Sequence, residues 1–246
     1  MQDVKGGWIT EDRKSGLPLN TFVLKIIACV TMLIDHIGFM FFPTYTSFRI
    51  IGRIAMPVYC FLMAEGAYYT KNKKKYLGRM LLFAALSEIP FNVAVSGKIF
   101  YAGYQSVMIT LLLGLICIFF AQAMKERIGN RWYLLPSLVV FVLAGWAAEF
   151  LSTDYGYLGI MMILAFYFFR DKPILKALSL ILISSVVYML RAHITTVPVQ
   201  IFAILALIPI FLYNGKKGVS GKFVQYAFYA FYPVHLLILD LIRYFR

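Results

Sequence analysis

Nine apolar runs, separated by short segments that hold most of the charge, leave this sequence few ways to fold. At about 20 residues per bilayer crossing, they lie near 22–42, 48–69, 77–95, 105–123, 132–151, 156–169, 173–190, 197–213 and 223–243, the sixth being the shortest. Runs this long and continuous suit helices rather than barrel strands, and a helix satisfies its own backbone groups in hydrocarbon. The expected fold is all-α: a polytopic bundle of about nine transmembrane helices. A composition of 61% hydrophobic and 14% charged residues, with mean hydropathy +0.78, is too apolar for an ordinary soluble domain. Residues 1–21 are polar and of mixed charge, and the first apolar run is too long for a signal-peptide core, so it is expected to remain in the mature protein. We therefore expect a cytoplasmic tail over 1–21 and one transmembrane domain over 22–246.

The net charge of +13 would suggest nucleic acid in a soluble chain, but here the cations sit between apolar runs and set topology. One set of alternate segments holds Lys5, Arg13, Lys14, Lys71, Lys73, Lys74, Lys75, Arg79, Lys125, Arg127, Arg131, Arg170, Lys172, Lys176, Lys216, Lys217 and Lys222. The other holds only Arg49, Lys98, Arg191, Arg243 and Arg246. This asymmetry is expected to place the N-terminus in the cytoplasm and the C-terminus outside, and it supports nine spans. The three cysteines, Cys29, Cys60 and Cys117, fall inside apolar runs without ligand or disulfide spacing and read as small core residues.

Ionisable groups inside the spans carry the functional signal, because a charge at a helix centre costs roughly 2.5–3.5 kcal/mol on insertion scales. The first run, FVLKIIACVTMLIDHIGFMFF, contains Lys25, Asp35 and His36. Lys25 and His36 are about three turns apart and project from nearly the same face, with His36 about 21 Å along the helix from the cytoplasmic end. In the second run Arg53 sits at a similar depth, Glu65 lies near the cytoplasmic end, and Pro57 should kink the helix between them. The third run puts Glu88 near the midplane with Asn92 one turn on, and the last puts His235 about 18 Å deep, two residues after Pro233. Tyr226, Tyr229 and Tyr232 read as packing or an interfacial belt before they read as a cavity wall.

Mutually satisfied ion pairs, such as Arg53 with Asp35, would account for the acids and the arginine taken singly. Two histidines at one depth are better suited to proton transfer near neutral pH. An adjacent or facing carboxylate, Asp35 among them, would orient the imidazole and stabilise its cationic form. No HExxH or i, i+4 histidine pair is present, and His193 belongs to a connecting segment, so no metal is expected.

The segments LKIIACVTMLIDHIG, IGRIAMPVYCFLMAEGAYYT, YLGRMLLFAALSEIPFN, DYGYLGI, YNGKKG and FYAFYPVHLLIL, in this order, resemble the TraX family. That family is named for a conjugative-plasmid protein associated with N-terminal acetylation of F-pilin. The Lys25-x10-His36 spacing is also similar to the basic-x10-His signature of membrane acyltransferases. The resemblance implies a multi-pass protein of the bacterial cytoplasmic membrane. It further implies acetyl transfer from cytoplasmic acetyl-CoA to an acceptor amine or hydroxyl, with His36 as general base, Asp35 orienting or tuning it, and Arg53 or His235 stabilising the developing oxyanion. The acceptor class stays open between peptide, sugar, lipid and small amine; nucleic acid is not expected. Lys25, Lys71, Lys73, Lys74, Lys75, Arg79, Lys216 and Lys217 are the candidate partners for the donor's phosphates. A proton-coupled transporter or flippase, or a non-catalytic assembly partner of a surface structure, are the alternatives.

Overall fold

The computed structural model describes residues 17–193 and 198–245. Among these residues nine helices run in order: α1 (Thr21–Phe41), α2 (Thr46–Tyr69), α3 (Lys73–Ser96), α4 (Val107–Trp132), α5 (Leu134–Phe150), α6 (Gly156–Phe168), α7 (Pro173–Ala192), α8 (Val199–Phe211) and α9 (Lys222–Tyr244). Among the described residues six of them, α1 to α4, α7 and α9, are long and apolar enough to cross a membrane, while α5, α6 and α8 are shorter. The chain is a multi-pass membrane protein whose helices follow the nine apolar runs.

Contacts between connecting segments show how the ends group. Where α1 begins, the Thr21 and Phe22 amides donate to the carbonyls of Lys216 and Lys217, 2.8 and 3.1 Å, and Asn20 caps the helix by accepting from the Val23 amide at 3.1 Å. These bonds satisfy donors that a helix start otherwise leaves without partners. The 214–221 segment is thereby pinned beside α1, and a Cβ on Gly218 (φ +67°) would overlap Asn20. Lys73 meets Glu126 and Arg170 meets Glu65 at this same end. At the other end, Gln105 bridges to Thr153, Glu149 pairs with Arg191, and Arg243 donates to the Ala94 carbonyl. The helices therefore alternate in direction, and the described members of the large basic set gather at the end where α1 starts.

Two interruptions shape the centre. Pro57 has no amide hydrogen and its ring opposes the Arg53 carbonyl, and α2 breaks there into Thr46–Gly52 and Ala55–Tyr69. The break lets the first piece fold against α1. A Cβ on Gly52 would come within 2.1 Å of Asp35 Oδ1, and one on Gly38 within 2.2 Å of the Phe48 Cβ, so both glycines are needed for this approach. In α3, capping by Asn72 starts the helix at Lys73, ahead of the apolar run that begins at Leu77. Glu88 lies against the start of α4, where it accepts from the Ser106 amide at 3.1 Å.

The main core is built from every helix except α5, with Leu24, Val58, Leu115, Ile118, Met162, Ile163 and Phe166 fully buried. Helix α5 packs only along one side, on α4 and α6, and exposes Leu135, Leu138, Val142, Trp146 and Phe150. An apolar face of that extent belongs against lipid.

Candidate active site

His36 from α1 and His235 from α9 meet with Nδ1 of the first 2.6 Å from Nε2 of the second. Their protonation follows from the next bond along. His235 Nδ1 lies 2.7 Å from the Phe231 carbonyl, an acceptor only, so Nδ1 of His235 carries the hydrogen. Neutral His235 then offers a lone pair at Nε2, and His36 must donate to it from Nδ1. This leaves the lone pair of His36 on Nε2, which makes no hydrogen bond among the described residues. The arrangement is that of an oriented base: a backbone carbonyl fixes one imidazole, and that imidazole fixes the other. His235 is 5% exposed, and its ring also stacks on Phe231 at a centroid distance of 4.9 Å.

A cavity of about 600 Å³ opens at the basic end and runs inward between α1, α2, α3, α4 and α9. Lys25, Arg79 and Lys217 line it near the mouth, as do Tyr69, Tyr213 and Phe228. Lys25 lies over the Phe228 ring at 5.1 Å and Arg79 over Tyr76 at 5.7 Å. Arg79 Nε is buried with no hydrogen-bond partner, and none of the three cations joins an ion pair among the described residues. Deeper walls are apolar, with Met32, Met56, Met63, Met80 and Met108. Tyr232 lines the deep end and stands edge-on to both imidazoles, 6.3 Å from the His36 ring and 5.8 Å from His235. From Thr21 to Met32 the cavity follows α1 for about 16 Å, and His36 is one further turn beyond Met32.

Past the imidazoles lies a closed polar network. Asp35 accepts from Arg49 at 2.8 Å and from Arg53 at 3.1 Å. Arg53 also donates to Tyr155 Oη at 3.3 Å and to Gln200 Oε1 at 3.1 Å. Beside it Asp154 accepts from the Tyr104 hydroxyl at 2.8 Å, while its backbone carbonyl accepts from Thr110. Burial pushes the Asp154 carboxyl up, and the Tyr104 bond and the Arg53 charge pull it back.

Several expected roles change on this geometry. Adjacent residues on a helix diverge by about 100°, so Asp35 turns toward the arginines and none of its hydrogen bonds goes to His36. The group that orients His36 is His235. Arg53 and His235, expected as oxyanion donors, have their donors committed, the former to Asp35, Tyr155, Gln200 and the Arg49 carbonyl, the latter to Phe231. Arg49, assigned from sequence only to a connecting segment, is instead half of the clamp on Asp35. Its signal was available: Arg49 and Arg53 are spaced i, i+4 and share a face. Of eight cations expected to hold phosphate, only Lys25, Arg79 and Lys217 line the cavity. Lys71, Lys74, Lys75 and Lys216 are exposed outside its lining, and Lys73 pairs with Glu126 at 3.1 Å. Glu65 lines the mouth but is held by Arg170 at 2.7 Å. Asn92 donates to the Ile99 carbonyl at 3.2 Å and closes the turn after α3. Tyr229 and Tyr232, read from sequence as packing or a belt, are cavity wall, whereas Tyr226 is 46% exposed and lies outside it.

A "Probable fimbrial assembly protein FimC, serogroup H1" from Dichelobacter nodosus is 30% identical over 249 residues, covering 91% of this chain and 95% of that protein. An uncharacterized protein, RP591, from Rickettsia prowazekii (strain Madrid E) is 32% identical over 155 residues, 63% of this chain and 58% of the relative. No solved structure matches the chain. The family model described as "TraX protein" matches residues 21–243, from the first residue of α1 almost to the end of α9, and the chain belongs to the TraX family.

Proposed function

We propose that this protein is a membrane-embedded acetyltransferase of the bacterial cytoplasmic membrane, with the basic end of the bundle in the cytoplasm. It takes an acetyl group from acetyl-CoA and passes it to an acceptor amine or hydroxyl at or beyond the membrane. The observation that carries this reading is the cavity: cations at its mouth that join no ion pair among the described residues, an apolar bore, and Tyr232 against the His36–His235 pair at its end. Acetyl-CoA has the same order of parts, with anionic phosphates, a long thin pantetheine arm and a thioester. Lys25, Arg79 and Lys217 hold the phosphates, and the bore length brings the thioester to the level of Tyr232.

Nε2 of His36 then takes the proton of the acceptor N–H or O–H as that atom attacks the thioester carbonyl carbon. The tetrahedral intermediate collapses, the C–S bond breaks, and the CoA thiolate takes the proton back from His36. Through these steps the His36 Nδ1–H remains bonded to His235 Nε2, which holds the ring in place and shares the transient positive charge. The name of the Dichelobacter relative favours an acceptor in a surface fibre. The same name supports a second reading, a non-catalytic partner in fibre assembly.

Binding separates the two. Purified protein in detergent should be stabilised by CoA or acetyl-CoA, by about 2.7 kcal/mol at a ligand concentration 100 times Kd. A melting curve indifferent to millimolar acetyl-CoA favours the assembly role.

A further inference from the structure

The proposed transfer needs a donor for the oxyanion that forms on the thioester carbonyl, and both groups suggested by sequence are occupied. Arg53 is bonded to Asp35, Tyr155 and Gln200, and the Nδ1–H of His235 is bonded to Phe231. Tyr232 is the residue that both lines the cavity and touches the two imidazoles, with ring centroids 6.3 and 5.8 Å from His36 and His235. Val107, the first residue of α4, lines the same cavity. An N–H at a helix start is directed outward and sits at the positive end of the dipole. A phenol that accepts from such an amide keeps its own hydrogen for a second partner.

We propose that Tyr232 is a catalytic residue, donating its O–H to the thioester carbonyl oxygen, with the Val107 amide polarising the phenol from behind. The inference rests on the acetyltransferase reading. No bond to Tyr232 forms or breaks in the cycle. As the acceptor adds to the carbonyl carbon, the C=O electron pair moves onto oxygen and the hydrogen bond from Tyr232 strengthens; as the thiolate leaves, it relaxes. His36 alone carries the proton from acceptor to CoA. Donors aimed at the developing oxyanion act by stabilising the transition state more than the bound substrate.

Tyr232→Phe tests this in purified protein with labelled acetyl-CoA and an acceptor-containing membrane fraction. Removal of one oxyanion donor typically lowers kcat by about 10²–10³; that loss is expected here, with KM for acetyl-CoA and the melting temperature unchanged because the ring remains. Replacing Tyr232 with fluorotyrosines of increasing acidity gives a second readout, since turnover should change with phenol acidity while ring size stays nearly constant. Tyr232→Phe within about threefold of wild-type kcat overturns the proposal. A variant that loses acetyl-CoA stabilisation along with turnover also overturns it, because the role is then in binding or folding. Wild-type protein that binds no acetyl-CoA and transfers no acetyl group removes the reading beneath it, an outcome distinct from the first two.

Discussion

Where α1 ends, one carboxylate holds two guanidinium groups at 2.8 and 3.1 Å, and tyrosine and glutamine occupy the remaining donors of Arg53. Where α1 begins, three cations face a 600 Å³ cavity and none joins an ion pair among the described residues. The first arrangement is architecture: Gly52 is open enough for Asp35 to fit between helices, and the break at Pro57 turns Arg49 and Arg53 onto it. The second leaves charge available to something outside the chain. His36 and His235 lie between the two, and their lone pair is the product of both ends being where they are.

Asp35 offers the sharpest way to break this contrast. Asp35→Asn strands two guanidinium groups in a partly buried site, and loss of one partner of a buried ion pair costs about 3–5 kcal/mol. The variant should therefore melt early in detergent whether or not ligand is present. A variant with normal stability that loses turnover alone would transfer Asp35 from the architecture to the catalytic machinery. At the other end the effect should fall on the ligand. Lys217→Ala combined with Arg79→Ala removes two charge-assisted contacts worth about 1.5–3 kcal/mol each when made. Acetyl-CoA binding by calorimetry should weaken at least tenfold with little change in the melting temperature of the unliganded protein. The same experiment on Lys71, Lys74 and Lys75 together should leave the affinity within about twofold, because those side chains lie outside the cavity lining. Equal losses from both sets would mean that the basic end attracts the donor by its field and not by the cavity.

The difference between the ends also explains what could be read from the sequence. Hydrocarbon demands long apolar runs, so the nine helices were legible, and the 1.5 Å rise placed His36 and His235 at one depth before their contact was known. Helix depth carries no information on rotation, and rotation decides partners. Asp35 and His36 are neighbours in sequence and serve opposite ends of the site because they leave the helix in different directions. Tyr232 was hidden for a related reason: in an aromatic run with Tyr226 and Tyr229, only the facing of α9 tells cavity wall from exposed ring. Capping by Asn72 starts α3 ahead of its apolar run, a polar signal that hydropathy does not weigh. The basic segments are legible in the sequence as a group at one end and not as individuals, since flexible lysines at one end of a bundle differ only in whether a cavity lies beneath them.

The central claim is that His36, oriented by His235, moves an acetyl group out of the cation-rimmed cavity, and acetyl transfer with and without that imidazole tests it most directly. Membranes holding the wild-type protein, given isotope-labelled acetyl-CoA, should place label on an envelope acceptor detectable by mass spectrometry. His36→Ala protein of equal abundance and equal acetyl-CoA stabilisation should lose that transfer by about 10²–10⁴-fold, the range expected for a general base. Label appearing at near-normal rate with His36→Ala would contradict the account.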